Sequence, residues 1–185
     1  QKNSVKSLPL FKIKSNIYNS NIFYHFMSLS FMTLTVLMLV HIVILFNLEF
    51  TAWPEIFSFP YLFNNGFDLY KDMVHPYTPL LTLLLSLLYK IFGYNVWVVK
   101  LFTYCLILIN DLLIFKITTK LTNKSKCGIL AVIFYVLTQP FLDGNQLWFD
   151  FAITTPILLG IFLILNKKYF LTGIALAVAF LIKQN

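Results

Sequence analysis

Side chains suited to acid–base chemistry lie between the first two long apolar runs of this sequence. Glu55 follows a proline in the stretch AWPEIFSFPYLFNNG. A carboxylate in such apolar and aromatic surroundings can take a proton from a hydroxyl group as a general base. The same residue also suits a structural role, because a proline followed by an acid is typical of a first helical turn. We expect Glu55 to act as a general base, with the helical turn as the alternative.

Asp72 and His75 lie three residues apart in YKDMVHPYTPLL, directly before a leucine-rich run. An Asp/His pair at this spacing can form half of a metal site, but no third ligand is evident, so a divalent metal is not supported. The pair could instead cap the helix that follows, with Thr78 as the N-cap residue. We favour a role in which Asp72 and His75 position a substrate or orient the base.

Another acid and a lysine lie at the ends of later apolar runs. Asp150 begins the run after QPFLDGNQLW, where it can cap a helix or join the acids of the earlier stretch. Lys183 ends the last run, about 21 Å along a helix axis from Tyr169. Its ammonium group can snorkel to lipid headgroups, or it can bind a phosphate as a point charge. Both alternatives stay open from the sequence alone.

The composition is that of an integral membrane protein. Of 185 residues, 59% are hydrophobic and 11% are charged, and the mean hydropathy is +0.79, whereas a soluble domain has about 25% charged residues. The net charge of +7 comes from lysine alone, with no arginine. In a membrane protein such an excess reports loop orientation rather than binding to nucleic acid. Cys105 and Cys127 fall in or beside different apolar runs, so no disulfide is expected.

The apolar runs predict five membrane-spanning helices and one helix at the membrane surface. A span needs about 20 residues to cross a hydrocarbon core of about 30 Å. The run at 78–92 gives only about 22 Å, and prolines and a glycine bound it on both sides. We therefore place it at the surface, within an outer loop at 49–95 that follows a cytoplasmic tail at 1–24. The spans are predicted at about 25–48, 96–117, 127–142, 150–166 and 169–184.

Charge sorting favours this topology over one in which 78–92 spans. With 78–92 at the surface, the lysines within 2–14, 116–126 and 167–168 share the cytoplasmic side, as the positive-inside tendency requires. Most acids then gather outside. His41 and Asp111 lie within spans, where pairing between helices is the expected role. The predicted fold is all-α, a polytopic transmembrane helical bundle whose outer loop carries juxtamembrane helices. Because the chain starts at Gln1 and stops after an apolar run, we expect the N-terminal part of one larger membrane domain.

This layout resembles the membrane-embedded GT-C glycosyltransferases, in particular the branch with protein O-mannosyltransferases and lipid A aminoarabinose transferases. The stretch DMVHPYTPL is similar to their Asp-x-His-Pro-Pro-Leu motif, with one extra residue between acid and histidine and the second proline displaced. The ending LIKQN resembles a Lys-Gln that closes a later helix in bacterial relatives. Their catalytic Asp or Asp-Glu pair would fall on Pro54-Glu55, which leaves Glu55 alone for that role.

The resemblance implies an inverting transfer of a sugar from a polyprenyl-phosphate donor to a hydroxyl acceptor on a protein, glycan or lipid. The reaction would take place at the outer face of the cell membrane of a prokaryote and would need no cofactor. The isoprenoid tail would occupy an apolar groove between the surface helix and the spans. Glu55 would be the catalytic base, Lys183 would hold the lipid phosphate, and substrate would be bound by Lys71, Asp72, His75 and Asp150.

Two other classes of function stay open. A transporter or flippase for lipid-linked or small polar substrates would place ionisable groups near the membrane midplane, whereas most acids here are predicted at one face. A non-catalytic membrane subunit would tolerate alanine at all of the outer acids.

Overall fold

The computed structural model describes residues 10–142 and 145–184, with the side chains described from residue 29 onward. The described chain is mostly helical, as predicted, and two-residue strands are its only β structure apart from one isolated bridge. The elements are α1 Leu10–Asn47, β1 Thr51–Ala52, α2 Pro54–Asn64, α3 Leu80–Phe92, α4 Val96–Thr122, α5 Ser125–Leu142, β2 Gln146–Leu147, α6 Phe149–Leu165 and α7 Tyr169–Ile182.

Three helices of the described chain are long and apolar enough to cross a membrane: the part of α1 from Leu29 to Asn47, α4 and α5. Helices α6 and α7 coincide with the last two predicted spans and are apolar, but they have only 17 and 14 residues. Helix α1 begins at Leu10, inside the segment predicted as a tail, and residues 1–9 of that segment lie outside the described residues.

Contacts between helix ends show how the helices are arranged. The ring of Phe46 at the end of α1 lies 6.4 Å from that of Trp97 at the start of α4. The pairing of β1 with β2 places the end of α5 beside the end of α1. An ion pair joins Asp150 at the start of α6 to Lys183 after α7. We call the end of the helices at which these three contacts lie the loop end. At the opposite end, the Lys120 ammonium donates to the Asn166 side chain at 2.5 Å.

Helix α3 is tied to the loop end at both of its termini. Before it, the Thr78 hydroxyl donates to the backbone oxygen of Phe180 at 2.8 Å. After it, the Asn64 amide at the end of α2 donates to the Tyr94 hydroxyl at 2.7 Å. One face of α3 is buried and includes Thr82 and Ser86, whereas its exposed face carries large apolar side chains. The hydroxyl groups of Thr82 and Ser86 are thus turned toward the protein, whereas Lys90 in the last turn is exposed.

A buried polar network joins α1, α4 and α5. The Nδ1 atom of His41 donates to the Asp111 carboxylate at 3.0 Å, and its Nε2 atom lies 3.2 Å from Oε1 of Gln139. All three side chains are buried. The prediction that His41 and Asp111 each bond between helices is confirmed; the structure shows that they bond to each other and that Gln139 adds a third helix.

Candidate functional site

Five rings converge at the loop end and form what we call the aromatic cluster. The rings of Tyr77 and Phe149 stack at 4.0 Å, and those of Trp53 and Trp148 lie 5.2 Å apart. Contacts of Tyr77 with Trp148 at 5.7 Å and of His75 with Phe149 at 6.1 Å complete the group. The start of α2, the loop before α3 and the start of α6 therefore meet in one place. The members of the aromatic cluster are Trp53, His75, Tyr77, Trp148 and Phe149.

Lys183 and Asp150 form an ion pair at the edge of the aromatic cluster. Their charged atoms lie 2.5 Å apart, and the side chains are 13% and 55% exposed. The Lys183 ammonium also lies 5.7 Å from the centre of the Tyr77 ring. The N-cap residue of α6 is Trp148, and Asp150 in the first turn is held by Lys183. A phosphate that binds Lys183 would thus have to share the ammonium group with Asp150 or displace the Asp150 carboxylate from it.

His75 is held by two hydrogen bonds inside the aromatic cluster. Its Nδ1 atom donates to the Tyr77 backbone oxygen at 2.6 Å, and its Nε2 atom accepts from the Thr82 hydroxyl at 2.7 Å. Burial lowers the pKa of His75, opposed in part by the hydrogen bond to Tyr77. Both ring nitrogens of a neutral imidazole are thereby occupied. This geometry suits a residue that fixes the loop before α3 to the first turn of α3.

Asp72 and Lys71 lie on an exposed turn before the aromatic cluster. One Asp72 carboxylate oxygen accepts from the Asp68 backbone N–H at 2.8 Å. Lys71 pairs with Asp68 at 3.3 Å, with side chains that are 76% and 66% exposed, so the pair adds little stability. The capping alternative for α3 was wrong, because Asp72 closes this turn and Thr78 contacts Phe180 instead. The N-cap residue of α3 is Pro79.

Glu55 lies in the first turn of α2, and its side chain is half-buried. The Oε2 atom is buried and has no hydrogen-bond partner among the described residues. A buried carboxylate oxygen of this kind is uncommon and needs an explanation, such as a catalytic role. Trp53, two residues earlier, contacts Trp148, so the start of α2, which carries Glu55, lies beside the aromatic cluster. No hydrogen bond or ion pair of the described residues joins Glu55 to Lys183 or Asp150.

The structure thus brings together three of the predicted site residues around Tyr77, namely His75, Asp150 and Lys183. Lys71 and Asp72 lie apart from them on the exposed turn. The rings of Trp53, Tyr77 and Trp148 were not predicted as part of a site. A signal for Trp148 existed in the sequence, because it lies two positions before Asp150.

An apolar cavity of about 410 Å³ lies between α3 and the first half of α4. It is located where the sequence predicts a groove between the surface helix and the spans. The side chains that line it are mostly large and apolar, with Asn95 at one end. They include Leu88, Phe92, Trp97, Leu101, Phe102 and Cys105.

Across the described residues, no group of three or more His, Cys, Asp or Glu side chains could hold a metal ion. In comparisons with known proteins, no family model, no curated protein and no solved structure matches this chain.

Proposed function

We propose that this chain belongs to a membrane-embedded glycosyltransferase that transfers a sugar from a polyprenyl-phosphate donor to a hydroxyl acceptor. The observation that carries the proposal is the Lys183 ammonium, 13% exposed and held at the edge of the aromatic cluster by Asp150. A cation at this place can meet the phosphate of a lipid whose chain stays in the membrane. Aromatic rings beside it offer apolar faces to a sugar ring.

In this proposal Glu55 is the base. The acceptor oxygen forms a bond to the anomeric carbon, while its proton passes to the Glu55 carboxylate. The bond from that carbon to the phosphate oxygen breaks, and the phosphate keeps the electron pair. The unpartnered Oε2 atom of Glu55 supports this role, because a free acceptor position is what a base requires. Lys183 would stabilise the departing phosphate, and the ion pair of Lys183 with Asp150 would open so that the ammonium group can do so.

The proposal includes a membrane arrangement. Helices α1, α4, α5, α6 and α7 would span, and the loop end would face the outer compartment with α3 at its surface. Lys71 and Asp72 would contact substrate from the exposed turn, and His75 would position that turn. Since α6 and α7 are short, they would need their flanking aromatic residues to reach both interfaces.

A radiolabelled polyprenyl-phosphate sugar, supplied to membranes that contain the protein, tests the proposal. We expect Glu55→Gln to reduce sugar transfer by about 10²–10⁴-fold, the usual contribution of a general base. The matched control is Glu49→Gln, which changes an exposed acid shortly before α2 and should keep activity. Near-normal turnover by Glu55→Gln, at equal protein amount, would show that the base is misassigned.

The buried network of His41, Asp111 and Gln139 favours a second candidate function, transport. Ionisable groups inside a helix bundle often mark an ion or substrate pathway. The two functions differ in their response to one substitution. Asp111→Asn should leave sugar transfer intact in a glycosyltransferase, whereas it should abolish substrate uptake into vesicles if the chain is a transporter.

A further inference from the structure

We propose that the junction of α1, α3 and α4 binds an anionic phospholipid. One acyl chain would lie in the apolar cavity between α3 and α4, and the phosphate group would lie beside Lys100. This site is separate from Lys183 and does not depend on the proposed sugar transfer. It assigns the cavity to a phospholipid and not to the isoprenoid tail that the family resemblance placed between the surface helix and the spans.

The cavity suits a hydrocarbon chain by its lining and its length. It runs from Asn95 to Cys105 along α4, about 15 Å by the helical rise. The Asn95 side chain already accepts a hydrogen bond from the Trp97 backbone N–H at 2.9 Å, so it caps α4. The remaining lining has no charged group, and its only side chains with a polar hydrogen are the Trp97 indole and the Cys105 thiol. Leu101, at 54% exposure, opens the cavity to the outward face of α4.

Lys100 provides a cation next to this cavity. Its ammonium group lies 4.9 Å from the ring of Trp97, 5.2 Å from that of Phe46 and 5.7 Å from that of Tyr104. Among the described residues, no carboxylate lies within ion-pair distance of it, in contrast to Lys71 and Lys183. The first turns of α4 also carry the positive end of the helix dipole, which adds to the attraction for an anion.

Trp97 connects the two halves of the site. Its ring lines the cavity and also contacts the Lys100 ammonium. A single molecule could therefore place an apolar chain on one side of Trp97 and a negative group on the other.

The position of the site in the fold favours a membrane phospholipid as the occupant. Helix α4 has the length and composition of a membrane span, so the outward face that carries Leu101 and Cys105 would meet lipid chains. Tryptophan and tyrosine near the end of such a helix are typical of the headgroup region. A free phosphate would leave the cavity unused, and a lipid without a phosphate would leave Lys100 without an anionic partner. Zwitterionic phosphatidylcholine offers a phosphate whose charge is offset by its own choline group, so an anionic lipid should be preferred.

Quenching of a fluorophore by brominated lipids tests this proposal. Ile109 lies one turn after Cys105 on α4 and is exposed but does not line the cavity, so Ile109→Cys can carry a bimane label in a Cys105→Ser, Cys127→Ser protein. The labelled protein is placed in phosphatidylcholine nanodiscs with a small fraction of brominated phosphatidylglycerol or brominated phosphatidylcholine. We expect about fivefold tighter association of the anionic lipid, which corresponds to about 1 kcal/mol for one lysine.

Variants of two lysines separate a specific site from general charge attraction. Lys100→Gln should remove the preference, and Lys100→Arg should keep it. Lys90→Gln is the matched control, since it removes an exposed lysine from the last turn of α3 near the same cavity. Equal quenching by both lipids would overturn the proposal, as would loss of the preference in Lys90→Gln.

Two further measurements keep the test decisive if Lys100→Gln does not fold. Leu101→Trp fills the cavity and leaves Lys100 in place, so it should reduce quenching by the anionic lipid. Unchanged quenching in this variant would show that the chain lies elsewhere. Glycerol phosphate, which has no acyl chain, should not compete, and competition by it would mean that Lys100 alone binds the phosphate.

Discussion

Lys183 shows how a partner decides what a charged residue can do. A lysine at the end of an apolar helix suits snorkelling to headgroups or phosphate binding equally well. In the structure it is 13% exposed and paired with Asp150. Snorkelling alone does not account for a lysine that is held inside the protein. Beside the aromatic rings, the Lys183 ammonium is still suited to bind a phosphate that replaces the Asp150 carboxylate.

His75 leads to a prediction about pH. Burial lowers the pKa of His75 in the folded protein below its ordinary value. As the pH falls below that ordinary value, the unfolded chain therefore binds more protons than the folded one. The stabilising contribution is therefore complete above about pH 6.5 and is lost as the pH falls through the lowered folded pKa. We expect thermal unfolding in detergent to occur at lower temperature at pH 5 than at pH 7.5. His75→Gln should show a smaller dependence, and an equal dependence in both proteins would contradict this assignment.

Helices α4 and α5 approach each other closely at Gly128. A Cβ atom at this position would lie 2.9 Å from the Phe115 backbone oxygen and would collide with the Thr119 side chain. A backbone atom cannot move aside cheaply. Small residues that let helices approach in this way are typical of helix packing in membranes.

Gly128→Ala should therefore destabilise the protein by about 1–3 kcal/mol, the usual cost of overpacking. The control is Gly173→Ala in α7, where a Cβ atom would meet nothing within 4 Å. Alanine there should be neutral or stabilising by up to about 1 kcal/mol, because it favours the helix. Thermal unfolding of both variants in the same detergent gives the comparison. Equal stability of the two variants would mean that α4 and α5 are less closely packed.

At the scale of the whole molecule, the position of α3 decides the topology. Its 13 residues extend about 20 Å, and both of its termini are hydrogen-bonded to parts of the loop end. Helices α1 and α4 also meet at that end. These contacts support the proposal that α3 stays on one side of the membrane.

Cysteine labelling tests the proposed topology. Two variants are made in a Cys105→Ser, Cys127→Ser protein. One has Ser58→Cys in α2 and the other has Lys124→Cys between α4 and α5, so that each carries a single exposed thiol. If α3 does not span, only α4 separates the two positions, so a membrane-impermeant maleimide should label just one of them in sealed vesicles. Labelling of both from the same side would mean that α3 crosses the membrane.

The sequence by itself determined that the chain is apolar and mostly helical, because composition and run length are local properties. A short helix near 78–92, and the need of His41 and Asp111 for partners in other helices, could also be predicted from it. Prolines and glycine limit the length of a helix whatever surrounds it in the fold, and buried charges inside apolar helices need partners.

Only the tertiary structure decided which residues meet. Lys183 pairs with Asp150 from 33 positions away, and Thr51 pairs with Gln146 from 95 positions away. Gln139 joins the His41 network from a third helix. Contacts of this kind depend on the rotation and register of whole helices, which follow from packing rather than from the local pattern. The aromatic cluster exists for the same reason, since three separate elements bring its rings to one end.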